Sequence, residues 1–250
     1  MLAGANFRTP DGLDIAATAD ISLSGNTWIV GNNTELLNGA SLSVSDGTVL
    51  RETFAGYVDV RPGSTSNSVV TYTDVVFKST YSQSCVTVGT CTNHTDSVVE
   101  FAPEKGGHAT LIFKNCTFEN SMVLFEGLSD SDGTFTAMFD NCKFTALTNS
   151  ELIRVENYLA GSTITVKDCT FDITATGNFA IIGGMGKNGT TVTFEGKNAF
   201  TGSIAKPTGA EQEGTADEIK IFSENLTVKA CEMTNIVGAD NIHVSGIVRK

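Results

Sequence analysis

The chain has 250 residues, with Lys+Arg 16 against Asp+Glu 28 and a formal net charge of −12, so a phosphate backbone repels it and nucleic acid is a poor partner. Apolar residues make up 40%, enough to fill a core, and no run of about 18 apolar residues is present to cross a bilayer as a helix. Twenty-five glycines beside four prolines point to many turns without proline-rich linkers.

Taken from the start, MLAGANFRTPDG has neither a basic n-region nor an apolar h-region, so no secretory signal is visible there. Leu2, Phe7, Leu13 and Ile15 supply apolar surface, and residues 1–20 are expected to form an N-terminal cap. From Ile21 onward an eight-residue phrase recurs: apolar, polar, apolar, polar, turn-former, two variable positions, large apolar. It reads ISLSGNTW from Ile21, LSVSDGTV from Leu42, VTYTDVVF from Val70 and LIFKNCTF from Leu111. It continues as AMFDNCKF from Ala137, ITVKDCTF from Ile164, VTFEGKNAF from Val192 with one extra residue, and LTVKACEM from Leu226. Successive starts lie 21, 28, 41, 26, 27, 28 and 34 residues apart.

Each column of this phrase has a physical meaning. The first and third are apolar in all eight copies, and the positions between them are mostly Ser, Thr or charged. Alternation with period two is a strand with one buried face. The fifth column reads Gly25, Asp46, Asp74, Asn115, Asn141, Asp168, Gly196 and Ala230. Gly, Asn and Asp tolerate left-handed backbone, so the strand is predicted to bend there. After the bend Trp28, Val49, Phe77, Phe118, Phe144, Phe171, Phe200 and Met233 return to the interior.

A second apolar stretch lies between phrases, at 98–101, 122–125, 152–155, 179–182 and 219–222. Each unit therefore offers about three short strands, and it can bury its apolar face only by stacking on its neighbours. The predicted fold is all-β: a single parallel β-helix domain over residues 21–240, of about eight coils spaced about 4.8 Å apart. Equivalent residues such as Phe113, Phe139, Val166 and Phe194 should form one interior row. A Greek-key sandwich competes, but it does not require the same residue type every 27 residues. Insertions at about 78–110 and 201–217 lengthen two coils, and such additions on a rigid solenoid form binding surface. Residues 241–250 form a C-terminal strand or assembly segment whose open edge another subunit would complete, or which folds back on its own coil.

The phrases FKNCTFEN, FDNCKFTA and VKDCTFDI resemble coils of the right-handed parallel β-helix, or pectate-lyase-like, superfamily over about residues 20–235. That resemblance implies a right-handed helix. It also implies a range of roles: polysaccharide lyases and hydrolases, phage tailspikes, other virion surface proteins and bacterial adhesins.

Residues able to carry chemistry are few. Cys116, Cys142, Cys169 and Cys231 share one column, which places sulfurs in a line rather than around a tetrahedral metal, and reads as buried thiols. Cys85 and Cys91 flank VTVGT within the longest insertion and are candidates for a loop-closing disulfide. Lys114, Asp140, Lys167, Glu195 and Lys229 alternate in sign down one exposed column and read as an inter-coil charge ladder. Arg154 and Glu156, with Glu126 on an adjoining coil, fit the same reading. Asp130-Ser131-Asp132-Gly133 hints at calcium, but Leu128 and Phe139 stand where an EF-type loop needs acids. His94, His108 and His243 lie far apart in the chain, and the glycine-rich stretch 183–190 lacks P-loop spacing. The sequons at Asn32, Asn93, Asn115, Asn188 and Asn225 are what chance yields in a chain rich in Asn and Thr. No catalytic, cofactor-binding or metal-binding residue is singled out. The expectation is a non-enzymatic structural or binding protein, most specifically a phage virion surface component (capsid decoration, head fibre or tail protein). It would reach the exterior by lysis and contact other virion proteins, host glycans or further copies of itself, with a trimer favoured by the resemblance. A carbohydrate-active enzyme of the tailspike kind, or an adhesin at the bacterial surface, are the alternatives.

Overall fold

The computed structural model describes residues 5–37, 39–53, 56–62, 66–80, 97–101, 106–119, 121–125, 133–146, 151–155, 161–176, 179–183, 191–205, 218–222, 225–228, 236–237 and 241–245. Among these residues every regular element is a strand. β1 (Asn6–Thr9) and β2 (Leu13–Ile15) precede β3 (Ala19–Ser22), β4 (Thr27–Val30) and β5 (Thr34–Leu37). The long β6 (Ser41–Arg51) and β8 (Asn67–Ser79) flank β7 (Val58–Arg61), and β9 (Ser97–Phe101) comes after them. Triplets come next: β10 (His108–Lys114), β11 (Thr117–Glu119) and β12 (Met122–Phe125); β13 (Thr134–Asp140), β14 (Lys143–Ala146) and β15 (Glu151–Val155). The pattern continues with β16 (Thr163–Lys167), β17 (Thr170–Thr176) and β18 (Phe179–Gly183), then β19 (Thr191–Glu195), β20 (Ala199–Ala205) and β21 (Glu218–Phe222). β22 (Asn225–Val228), β23 (Ile236–Val237) and β24 (Asn241–Ser245) end the described chain.

From β10 on, each strand pairs in parallel with the strand three places later. Three rows of strands result, gathered into a fifteen-stranded and a nine-stranded sheet. The larger sheet holds two of the rows because β6 and β8 run through a bend: β8 pairs with β10 before Asp74 and with β11 after it. The nine-stranded sheet runs β2-β5-β7-β9-β12-β15-β18-β21-β24. The protein is therefore all-β with parallel strands, as the alternation predicts.

The bend has the backbone its column requires. Asp46, Asp74, Asn115, Asn141 and Asp168 all have φ between 52° and 58°, and Gly25 and Gly196 are at 79° and 72°. Left-handed backbone costs most residues about 1–2 kcal/mol, while Asn and Asp bear it by bonding locally. Here they also bond to each other. Asn115 Nδ2 donates to Asp74 Oδ1 at 3.1 Å, and Asn141 Nδ2 donates to Asn115 Oδ1 at 2.8 Å.

The predicted interior row forms in register. Tyr72, Phe113, Phe139, Val166 and Phe194 are consecutive partners, each at most 1% exposed. Tyr72, Phe113 and Phe139 stack at 5.4 and 4.8 Å between ring centroids. Beyond the bend, Phe77, Phe118, Phe144 and Phe171 stack at 4.9, 4.6 and 5.1 Å. The two stacks meet edge-on, Phe113 against Phe118 at 5.5 Å, the geometry that ring quadrupoles favour.

One expected alignment is corrected. Ile21 pairs with Val44 and Ala19 with Leu42, so the first phrase is offset by two residues before its bend. The later part agrees, with Trp28 opposite Val49. The two extra residues widen this bend. Ser24 and Gly25 both take positive φ, and Leu23 remains fully buried.

Candidate functional site

The column after the bend holds the nucleophilic groups. Cys116, Cys142 and Cys169 are free thiols, each at most 2% exposed. Each sulfur reaches two carbonyl oxygens, one two residues earlier in the chain and one on a neighbouring parallel strand. Cys116 Sγ donates toward Lys114 O (3.4 Å) and Tyr72 O (3.5 Å), and Cys142 Sγ toward Asp140 O (3.6 Å) and Phe113 O (3.4 Å). Cys169 Sγ does the same toward Lys167 O (3.3 Å) and Phe139 O (3.4 Å).

Where the bend is wider, Asn takes this place. Asn198 Nδ2 donates to Val166 O (3.2 Å) and Glu195 O (2.9 Å), and its Oδ1 accepts from the Cys169 amide (2.9 Å). Asn26, in the widened first bend, donates to Leu23 O and accepts from the Ala5 amide. Where it holds Cys or Asn, the column thus serves the carbonyls and amides that the bend takes out of the ladder; Gly47 and Val75 occupy it without a polar side chain. Hydrogen bonding to Cys116 and Cys169, together with burial, pushes the Cys142 thiol well above its ordinary pKa. It stays protonated, and only a thiolate is a strong nucleophile or metal ligand. Cys85, Cys91 and Cys231 lie outside the described residues.

Lys114, Asp140, Lys167 and Glu195 are successive partners in one outward column, with Lys167 Nζ 3.6 Å from Asp140 Oδ1. Lys229 lies outside the described residues. Further ion pairs join Lys78 to Glu119 (2.7 Å) and Lys143 to Asp172 (3.7 Å) between strands, and Arg8 to Glu52 just past β6 (2.7 Å). Arg154 is in register with Leu124, while Glu126 and Glu156 lie outside the described residues. So do Asp130–Asp132, His94 and residues 184–190. His108 is half-buried, its Nδ1 2.8 Å from Thr134 Oγ1. Among the described residues, no three of His, Cys, Asp and Glu are grouped to hold a metal ion.

No family model, curated protein or solved structure matches the chain. Its own surface is therefore the guide to its function.

That surface differs between the three rows of strands. On the nine-stranded sheet Asp14, Glu35, Asp59 and Glu100 are successive partners in one column, with Asp14 exposed, Glu35 half-buried and Asp59 buried. Asn33 Nδ2 lies 3.0 Å from Glu35 Oε1 and 3.5 Å from Asp59 Oδ2, easing the repulsion between them. Beyond the bend, the outward residues include Arg8, Lys78, Glu119, Lys143 and Asp172. Before the bend, two outward columns carry no charge from β6 to β19. One reads Ser41, Val69, Thr110, Thr136, Thr163 and Thr191; the other reads Ser43, Thr71, Ile112, Met138, Thr165 and Thr193. All twelve alternate with core positions in the sequence, and taking them as filler between those positions passes over their shared neutrality.

Proposed function

We propose that the two sheets form the walls of a single right-handed parallel β-helix of about eight coils. We propose further that the chain is a non-enzymatic structural or binding component of a phage virion surface. Right-handed crossovers are the rule where parallel strands share a sheet, and three rows of strands paired at intervals of three are what a coil of three strands produces. The observation that carries the functional reading is the outward columns. Lys114, Asp140, Lys167 and Glu195 stand side by side and neutralise one another instead of converging on a point in space. Acid catalysis of glycoside cleavage needs two carboxylates facing one bond across roughly 5–9 Å, whereas a ladder aims them alike. A rod built this way offers length, rigidity and repeated surface, which suits capsid decoration, a head fibre or a tail protein. Its partners would be other virion proteins, further copies of the chain or host glycans, and lysis would carry it outside the cell.

Purification of assembled particles tests the reading: the chain should accompany them at a fixed copy number. Its absence from particles, or release of reducing or unsaturated sugar ends from capsular polysaccharide, would replace the structural role with adhesion or catalysis.

A further inference from the structure

The neutral outward columns before the bend are unusual in a chain of net charge −12. Nine of their twelve residues are Ser or Thr, and the other three are Val69, Ile112 and Met138. Val69 is 42% exposed, a large hydrophobic side chain turned to solvent. The strands beneath run in unshifted register from β8 through β10, β13 and β16 to β19, so these residues form an ordered array. Both other rows present charge. An acidic protein meets its own kind with least repulsion where neutral columns border charges of alternating sign.

The bordering column decides the orientation. It reads Lys114, Asp140, Lys167, Glu195 in strand order. A two-fold axis lying along the strand direction, between β13 and β16, reverses that order in a second copy. Lys114 then faces the partner's Glu195, and Asp140 faces the partner's Lys167, with the same two pairs repeated by symmetry. Every charge meets its opposite. In the neutral columns Thr136 comes opposite the partner's Thr163, and Met138 opposite the partner's Thr165. Two-fold contacts are self-complementary in just this sense.

We propose that this face is the contact between two copies of the chain, packed as antiparallel rods about that axis. About this axis the strands that lie opposite one another are the six from β8 to β22, with β6 beyond the overlap; about 4.8 Å apart, with three outward positions about 6.7 Å apart, they cover roughly 580 Å² per copy, or about 1,150 Å² in all. That is the lower end of specific interfaces, so the dimer forms in the micromolar range.

The inference refines the assembly role proposed above and rests on it only for its biological purpose. Sedimentation velocity of the whole chain across the micromolar range should show a concentration-dependent dimer. Met138→Asp, which sets a carboxylate in the neutral array, should abolish it, while Thr48→Lys on the adjoining row should leave it unchanged. Lys114→Glu should weaken it about tenfold. The decisive variant is Lys114→Glu with Glu195→Lys. Within one rod it sets a second acid beside Asp140 and a second base beside Lys167, which is worse than the parent, yet across the dimer it restores complementarity. Recovery to within about twofold of the parent supports the contact. A chain that stays monomeric, a double variant weaker than either single one, or equal loss in Thr48→Lys overturns it. Dimers that never accompany particles sink the virion role and leave this contact standing; monomers bound to particles do the reverse.

Discussion

At the bend, single residues carry opposed demands: the backbone must turn left-handed on the outside while a small group inside satisfies the carbonyls released by the turn. Asn141 and Cys142 answer the two in succession. Replacing Asn141 with Ala keeps φ near 53° without a side chain to bond locally and cuts the link to Asn115. We expect a loss of about 1–2 kcal/mol in chemical denaturation. Cys142→Val keeps the volume and removes the donor, and should cost about 1–3 kcal/mol. Burial keeps reagents away from all three thiols. Native protein treated with iodoacetamide and digested should show Cys116, Cys142 and Cys169 unmodified, and unfolded protein should show all three labelled. Labelling of Cys142 in the native state would mean that the column opens to solvent. Where this column carries a donor, the choice between Cys and Asn follows bend width, as the wide bends at Asn26 and Asn198 show, while Gly47 and Val75 hold it with none.

Between elements, the energy lies in side-by-side pairs on adjacent strands. Aromatic rows are the favourable case. Phe139 contacts Phe113 on the neighbouring strand and Phe118 and Phe144 across the bend, so Phe139→Ala should cost about 3–5 kcal/mol. Gly47 records a different constraint. A Cβ there would collide with Leu23 Cβ and lie 2.5 Å from Asn26 O, because the widened first bend folds over it.

Along the whole molecule, position in the stack sets the value of a residue. Phe7 and Trp28 occupy the same column, yet Phe7 on the terminal strand is 36% exposed and Trp28 is fully buried. Stacked repeats depend on their neighbours for burial, so Phe7→Ala should cost well under half of what Phe139→Ala costs in the same denaturation experiment. Equal losses would mean that the terminal strand is covered as fully as the middle of the stack.

Period two, the turn-former column and the stacking of like residues are local properties, and they are written plainly in the sequence. They determined the all-β class, the parallel rows, the bend at Asp74, Asn115, Asn141 and Asp168, and the interior line through Phe113 and Phe139. Pairing across strands is not local, and there the sequence was blind. A shift of two residues leaves every side chain on its own face, so the hydrophobic pattern fits Ile21 opposite Leu42 as well as opposite Val44. Only the hydrogen bonds of the widened bend, with Leu23 and Gly25 donating to Ser45 and Asp46, decide between them. The same holds for the surface. Each Thr or Lys is an ordinary residue on the outer face of its own strand, and the neutral array, the acidic column and the alternating ladder exist only because strands some 21 to 41 residues apart in sequence are held in register by their backbones.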